Sequence, residues 1–264
     1  MITSKDISNA LSQLGVVPGD IVLVHSALRS LGPVEGGAAG VIAGFEDLLG
    51  REGTLVMPTL CQVDFGNSFK TWYMDKPSDV GYLTEFFRKQ PYVYRSNNPT
   101  HSVAARGKQA YWLTCEHGGY GPHLCPFGEY AFADSSPWLK MYNMGAKVVF
   151  IGVTTMYNTA KHSVEARFLE NALAKVRDPE KKAALEQRVK KFGVPGVWLY
   201  FDGQKMHELL DAKGLIRHAP CGQTELLLID MKEFCDACYR ELEAHPEQWC
   251  TEETLQWLKD CAAG

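Results

Sequence analysis

Three short segments of the chain carry side chains of the kinds that handle protons and anions. His162-x-x-Glu165 sets an imidazole and a carboxylate three residues apart, which places them on one face of a helix. A carboxylate beside an imidazole raises its basicity and fixes its ring orientation, the equipment of a general base. The plain alternative is an exposed helical ion pair. His25-Ser-Ala-Leu-Arg-Ser30 joins hydroxyls, a cation and turn amides, a set that suits an anion or a carbonyl oxygen. Its alternative is a strand-to-helix turn capped by Ser. Arg95-Ser-Asn-Asn-Pro-Thr-His-Ser102 offers a guanidinium suited to bidentate phosphate binding, several hydroxyls, two amides and a further imidazole. It can equally be a polar turn satisfied by its own Ser and Asn side chains.

Such segments act together only if regular elements position them. Apolar runs at 20–25, 53–58 and 147–152 read as short buried strands. Helices are expected from a Ser4 N-cap onward, over 36–49, from an Asp79 cap to about residue 89, from Pro137 to Gly145, and over 159–173. Residues 61–78 read as a long loop and 116–128 as irregular chain. Residues 178–191 are highly charged and read as a solvated helix. A strand at 196–200, a helix near Lys205, a strand at 224–228 and helical C-terminal segments complete the pattern. Strands alternating with helices give an α/β class, one compact domain over 1–264 with a central sheet flanked by helices. Both the His25 and His162 segments then follow the C-terminal ends of strands, where open α/β sheets bind ligands.

Composition narrows the function. The 264 residues carry a net charge of -4, with 45% hydrophobic and 22% charged residues, which argues against a disordered chain or a strongly basic nucleic-acid binder. No apolar run approaches the roughly 20 residues that span a bilayer, and the first residues lack a signal-peptide pattern. A cytoplasmic protein with no membrane or nucleic-acid partner is expected. The eight cysteines, including Cys235-x-x-Cys238 in a helical stretch, read as free thiols. Dinucleotide, P-loop, nucleophile-elbow and zincin motifs are absent.

The three segments, in order, resemble the aminoglycoside 3-N-acetyltransferase family, the antibiotic acetyltransferase fold that is distinct from the GNAT fold. The match runs from His25-Ser-Ala-Leu-Arg-Ser-Leu-Gly32 through Gly53-Thr-Leu-Val-Met-Pro-Thr59 and Arg95-Ser-Asn-Asn-Pro-Thr-His-Ser-Val-Ala-Ala-Arg-Gly107. It continues through Ser136-Pro-Trp138 to Asn158-Thr-Ala-Lys-His-Ser-Val-Glu165. It covers roughly residues 5 to 170; the last third is looser. The resemblance implies acetyl-CoA as donor, an amine of an aminoglycoside as acceptor, and no metal. It implies His162 as the base and Glu165 as the group that orients it. It assigns Ser26, Ala27, Leu28, Arg29 and Ser30 to the thioester end of the donor, and Arg95, Ser96, Ser102 and Val103 to the CoA channel. Direct transfer fits better than a covalent intermediate, because no cysteine lies in the matched motifs. Ala27 and Arg29 stand where family members often have Ser, which is tolerated if the loop works through backbone amides. For the acceptor, Asp64 and Glu170 are the expected carboxylates, with Asp75 a further one and His101 a spare base. A homodimer is compatible with this reading. The alternatives are another small amine as acceptor, a metal-dependent hydrolase using His162, Glu165 and His101, and a CoA-binding protein without catalysis.

Overall fold

The three apolar runs form the parallel centre of one mixed sheet. A computed structural model describes residues 1–63, 65–191 and 196–263. Among these the strands are β1 (Ile21–Ser26), β2 (Thr54–Pro58), β3 (Tyr94–Arg95), β4 (Val103–Gly107), β5 (Lys147–Ile151), β6 (Arg217–Cys221) and β7 (Thr224–Asp230). Their order is β3-β4-β2-β1-β5-β7-β6. β1 runs parallel to β2 and β5, and all other pairings are antiparallel. The helices are α1 (Ser4–Gln13), α2 (Gly37–Leu49), α3 (Ser68–Thr71), α4 (Tyr82–Arg88), α5 (Ala110–Thr114) and α6 (Pro137–Asn143). They continue with α7 (Lys161–Leu173), α8 (Pro179–Lys190), α9 (Gly203–Ala212), α10 (Met231–Ala244), α11 (Pro246–Trp249) and α12 (Glu252–Ala262).

The strands at the centre are apolar on both sides because helices cover both. Val22 and Val24 of β1 and Val149 and Ile151 of β5 face a core made with α1, α2 and α4. Ile21 and Leu23 of β1 and Val148 and Phe150 of β5 face the larger core, built with α5 to α12. His25 follows Leu23 in this alternation and stacks on its cross-strand neighbour Phe150, with ring centroids 5.4 Å apart. The face that carries α7 therefore also receives the end of β1.

Local signals differ from expectation at several places. Thr3, not Ser4, caps α1, in a capping box with Asp6. Asp79 caps no helix: its carboxylate accepts the Gln62 and Val63 amides at 2.8 and 2.6 Å, and α4 starts after Gly81. The strand expected at 196–200 is bends and irregular chain, and residues 192–195 lie outside the described set. The β6–β7 hairpin was not expected. Gly222, at φ +62°, makes its two-residue turn, and Pro220 is tolerated because β6 is an edge strand.

Candidate active site

α7 begins in the chain that leaves β5, where the Asn158 side-chain oxygen accepts the Ala160 amide. The helix is held by its apolar residues Val164, Phe168, Leu169 and Leu173 in the larger core. That packing fixes His162, the second residue of the helix, and Glu165 one turn beyond it. His162 Nδ1 lies 2.6 Å from Glu165 Oε2. Glu165 is fully buried, and its other oxygen accepts the Phe201 amide at 3.2 Å. A buried carboxylate accepts hydrogen bonds, so His162 carries its proton on Nδ1 and presents the Nε2 lone pair. Nε2 has no hydrogen-bond partner among the described residues, and the side chain is 14% exposed. The imidazole is thus oriented from behind and unengaged in front.

Aromatic rings surround it. Phe127, Phe132, His101, Tyr200 and Trp198 have ring centroids 4.9 to 6.4 Å from that of His162. The sequence reading missed all of these except His101, because they come from irregular chain with no periodic signal. Tyr200 is held at a positive φ of 40°, unusual for a non-glycine residue and visible only in the structure. Trp198 leaves its indole N–H buried without a partner among the described residues. His101 is buried, and desolvation first, then the nearby charges of His162 and His117, hold it well below the usual imidazole range. Its Nδ1 meets Thr100 Oγ1 at 2.9 Å. It lines the wall of the base as a neutral ring.

The turn after β1 is a 3-10 helix over Leu28–Leu31. The Ala27 amide bonds to Ile151 at 2.8 Å and ties the turn to β5. Gly152, at φ +62°, lets the turn approach so closely that a Cβ there would overlap the Ser30 hydroxyl. The Leu28 and Arg29 amides open this turn and have no partner among the described residues. Ala27 and Arg29 are exposed, and Ser26, Leu28 and Ser30 half-buried. Beside the turn, at the carboxyl ends of β1 and β2, lies a cleft of about 250 Å³ that includes His25, Ser26, Pro58, Tyr157 and Thr159 in its lining. Thr159 receives the His162 amide at 3.2 Å, so the cleft wall ends one turn from the base.

The Arg95–Ser102 segment has a different role from the one expected. The Arg95 guanidinium donates to the carbonyls of Met74, Lys76 and Thr59 and to the Thr59 and Ser102 hydroxyls, and it lies over the Trp72 ring. No fork is left for a phosphate; Arg95 ties loop 59–76 to the sheet. Ser96 is fully buried between the Val103 amide and His117 Nδ1. Ser102 is fully buried against Thr59, and Val103 is core. Asn98 accepts the Thr100 and His101 amides, as in a self-satisfied polar turn. None of Arg95, Ser96, Ser102 and Val103 faces a channel with a free polar group.

Of the two acceptor carboxylates, Asp64 lies outside the described residues. Glu170 is engaged: its oxygens accept His123 Nδ1 at 2.9 Å and the Leu124 amide at 2.6 Å. His123 also meets Asp134 at 3.0 Å. The hydrogen bond to Glu170, reinforced by Asp134 against partial burial, raises His123 to about 9. This imidazolium offsets one of the two carboxylate charges, and through His123 and the Leu124 amide Glu170 clamps loop 116–134.

Among the described residues no group of three or more His, Cys, Asp or Glu side chains is arranged to hold a metal ion. All eight cysteines are free thiols, and burial pushes Cys125, Cys235, Cys238 and Cys250 upward, away from the thiolate form. No described helix is long and apolar enough to cross a membrane.

Comparison with known proteins places this geometry. The family model for aminoglycoside 3-N-acetyltransferase matches residues 23–243. The Bacillus subtilis protein YokD, described as a prophage-derived aminoglycoside N(3')-acetyltransferase-like protein, is 31% identical over 186 residues, 62% of this chain and 65% of its own length. An aminoglycoside N(3)-acetyltransferase III of Salmonella is 33% identical over 184 residues, 63% of this chain and 61% of its own length. The matched segments span less than two thirds of these relatives. The crystal structure of YokD aligns over 94% of this chain and 95% of its own, with a TM-score of 0.72 at 22% identity. A structure of AAC-IIIb in binary complex with CoASH aligns over 92% of this chain and 97% of its own, with a TM-score of 0.66 at 20% identity. These likenesses establish the fold. The chain belongs to the aminoglycoside 3-N-acetyltransferase family.

Proposed function

We propose that this chain transfers an acetyl group from acetyl-CoA to a primary amine, with the 3-amino group of an aminoglycoside as the acceptor its named relatives point to. The observation that carries the reading is the His162–Glu165 pair, braced at Nδ1 and unengaged at Nε2. The neutral amine attacks the thioester carbon. His162 Nε2 takes the proton that the nitrogen sheds and returns it to the departing thiolate. Glu165, held by the Phe201 amide, stabilises the imidazolium formed in between. The Leu28 and Arg29 amides serve the oxyanion, and each such donor typically lowers the barrier by about 2.7–4 kcal/mol. The cleft beside Ser26 takes the donor, and a structural neighbour in complex with CoASH supports acetyl-CoA as that donor. Raised thiols favour direct transfer over an acetyl-cysteine intermediate. The cytoplasm, which holds acetyl-CoA and keeps thiols reduced, is the compartment this chemistry fits.

A second acceptor, a small amine with an apolar body, is favoured by the aromatic wall around His162 and by the clamping of Glu170. The test is CoA release, followed with a thiol reagent, against an aminoglycoside panel and a set of simple amines. Turnover confined to aminoglycosides with a free 3-amino group is expected. Turnover with apolar amines alone would move the acceptor to the second class. His162→Ala should lose turnover at least about a hundredfold while keeping acetyl-CoA affinity; near-normal turnover would remove His162 as the base.

A further inference from the structure

The donor cleft contains a residue that neither the oxyanion turn nor the base accounts for. His25 lies at the end of β1, 6% exposed, with its ring fixed by stacking on Phe150 at an interplanar angle of 11°. It lines the cleft between Ser26 and Pro58. Its Nε2 is enclosed and has no hydrogen-bond partner among the described residues. Buried polar atoms in folded proteins are nearly always paired, so an unpaired imidazole on a cleft-lining residue has hydrogen-bonding capacity to spare for a bound molecule. A second orphan adjoins the cleft lining along the chain. Asn158, fully buried and next in sequence to the cleft residues Tyr157 and Thr159, leaves its Nδ2 unpaired among the described residues. Burial keeps His25 at about 3, so the ring is neutral at any working pH. A neutral imidazole has one donor and one acceptor, the complement of a secondary amide.

We propose that His25 is a donor-binding residue whose imidazole hydrogen-bonds an amide of the pantetheine arm of acetyl-CoA. The inference rests on the reading of acetyl-CoA as donor and goes beyond it by naming the side chain that grips the arm. His25→Phe keeps the stack on Phe150 and removes both nitrogens. His25→Gln keeps a donor and an acceptor on a similar reach.

Calorimetry of the full chain with acetyl-CoA and with acetyl-pantetheine, which lacks the nucleotide, tests it. His25→Phe should weaken both ligands by the same factor, about tenfold for one hydrogen bond to a neutral group. His25→Gln should recover part of the loss. Unchanged affinities in His25→Phe, or a loss seen with acetyl-CoA but not with acetyl-pantetheine, would overturn the proposal. If the wild-type chain binds neither ligand, the donor reading itself fails, which is a distinguishable result. If His25→Phe does not fold, nitrogen-15 histidine spectra of the wild-type chain decide. A shift of the His25 ring nitrogens on saturation with acetyl-pantetheine is expected, and no shift would overturn the assignment.

Discussion

Replacing Glu165 with Gln tests the tautomer argument at the centre of the site. The substitution conserves shape, and the side chain is wedged between two fixed groups, His162 Nδ1 and the Phe201 amide. Two orientations of the new amide exist. With its oxygen on the Phe201 N–H, the NH2 points at Nδ1, which then must accept. The proton moves to Nε2, and the base has no lone pair to offer. With the amide reversed, Nδ1 keeps its proton, but two N–H groups face each other at Phe201. A buried donor left unpaired costs about 1–3 kcal/mol, so the working arrangement is populated roughly 5- to 150-fold less. The imidazolium formed on attack also loses its facing charge, which weakens a charge-assisted hydrogen bond to a neutral one. Together these should lower kcat by about 10²–10³, within the usual range for a general base. The KM for acetyl-CoA should stay within about threefold, because Glu165 does not line the donor cleft. Thiol-reagent detection of CoA suits the assay, since six of the eight cysteines are buried and only Cys115 and Cys250 are partly exposed. A Glu165→Gln enzyme with kcat within about threefold of wild type would refute the tautomer argument.

Arg95→Lys should destabilise the fold by about 2–4 kcal/mol in urea unfolding, since an ammonium cannot satisfy the carbonyls of Thr59, Met74 and Lys76 together. Acetyl-CoA affinity should hold, and a loss of affinity at unchanged stability would restore Arg95 to phosphate binding. Stability should also fall in mild acid. His25 at about 3, His117 at about 4 and His101, also lowered, stay neutral in the fold while the unfolded chain protonates below about 6.5. Each therefore removes about 1.4 kcal/mol per pH unit as pH falls from 6.5 towards its folded value. His123 has the opposite sign: its stabilisation is complete below about 6.5 and is lost as pH rises through about 9. Urea midpoints should peak near pH 6.5–7, and a maximum below pH 5.5 would contradict this assignment.

The helical spacing of His162 and Glu165, and the strand runs that deliver the His25 turn, were readable because burial periodicity is written locally. Residues 148–151 are fully apolar because both faces of β5 are covered, and the Asn158–Ala160 turn follows directly. What surrounds the base was not readable. Phe127 and Phe132 come from a Gly- and Pro-rich stretch, and Trp198 and Tyr200 from irregular chain more than thirty residues beyond Glu165. Their meeting at His162 is decided by how loops fold over the sheet, and no local pattern encodes it. The β6 strand was hidden for a related reason: Pro220 argues against a strand until it is known to be at an edge.

The Arg95–Ser102 segment shows why residue type alone misleads. It has the richest polar content of the three segments, and the structure uses most of it internally. Arg95 bridges three carbonyls, Asn98 closes its own turn, and Ser96 sits between Val103 and a neutral His117. The polar groups left unpaired are fewer and plainer: Nε2 of His162, the amides of Leu28 and Arg29, Nε2 of His25 and Nδ2 of Asn158, with the indole N–H groups of Trp198 and Trp249 besides. His162, the Leu28 and Arg29 amides, His25 and Asn158 lie in the chain that leaves the carboxyl ends of β1 and β5, and under the proposed function a thioester, an amine and a pantetheine amide would meet these needs. In a fold that satisfies nearly every other buried polar atom, that concentration of unmet need is what the proposed function rests on, whereas the Arg95–Ser102 groups are spent on the scaffold.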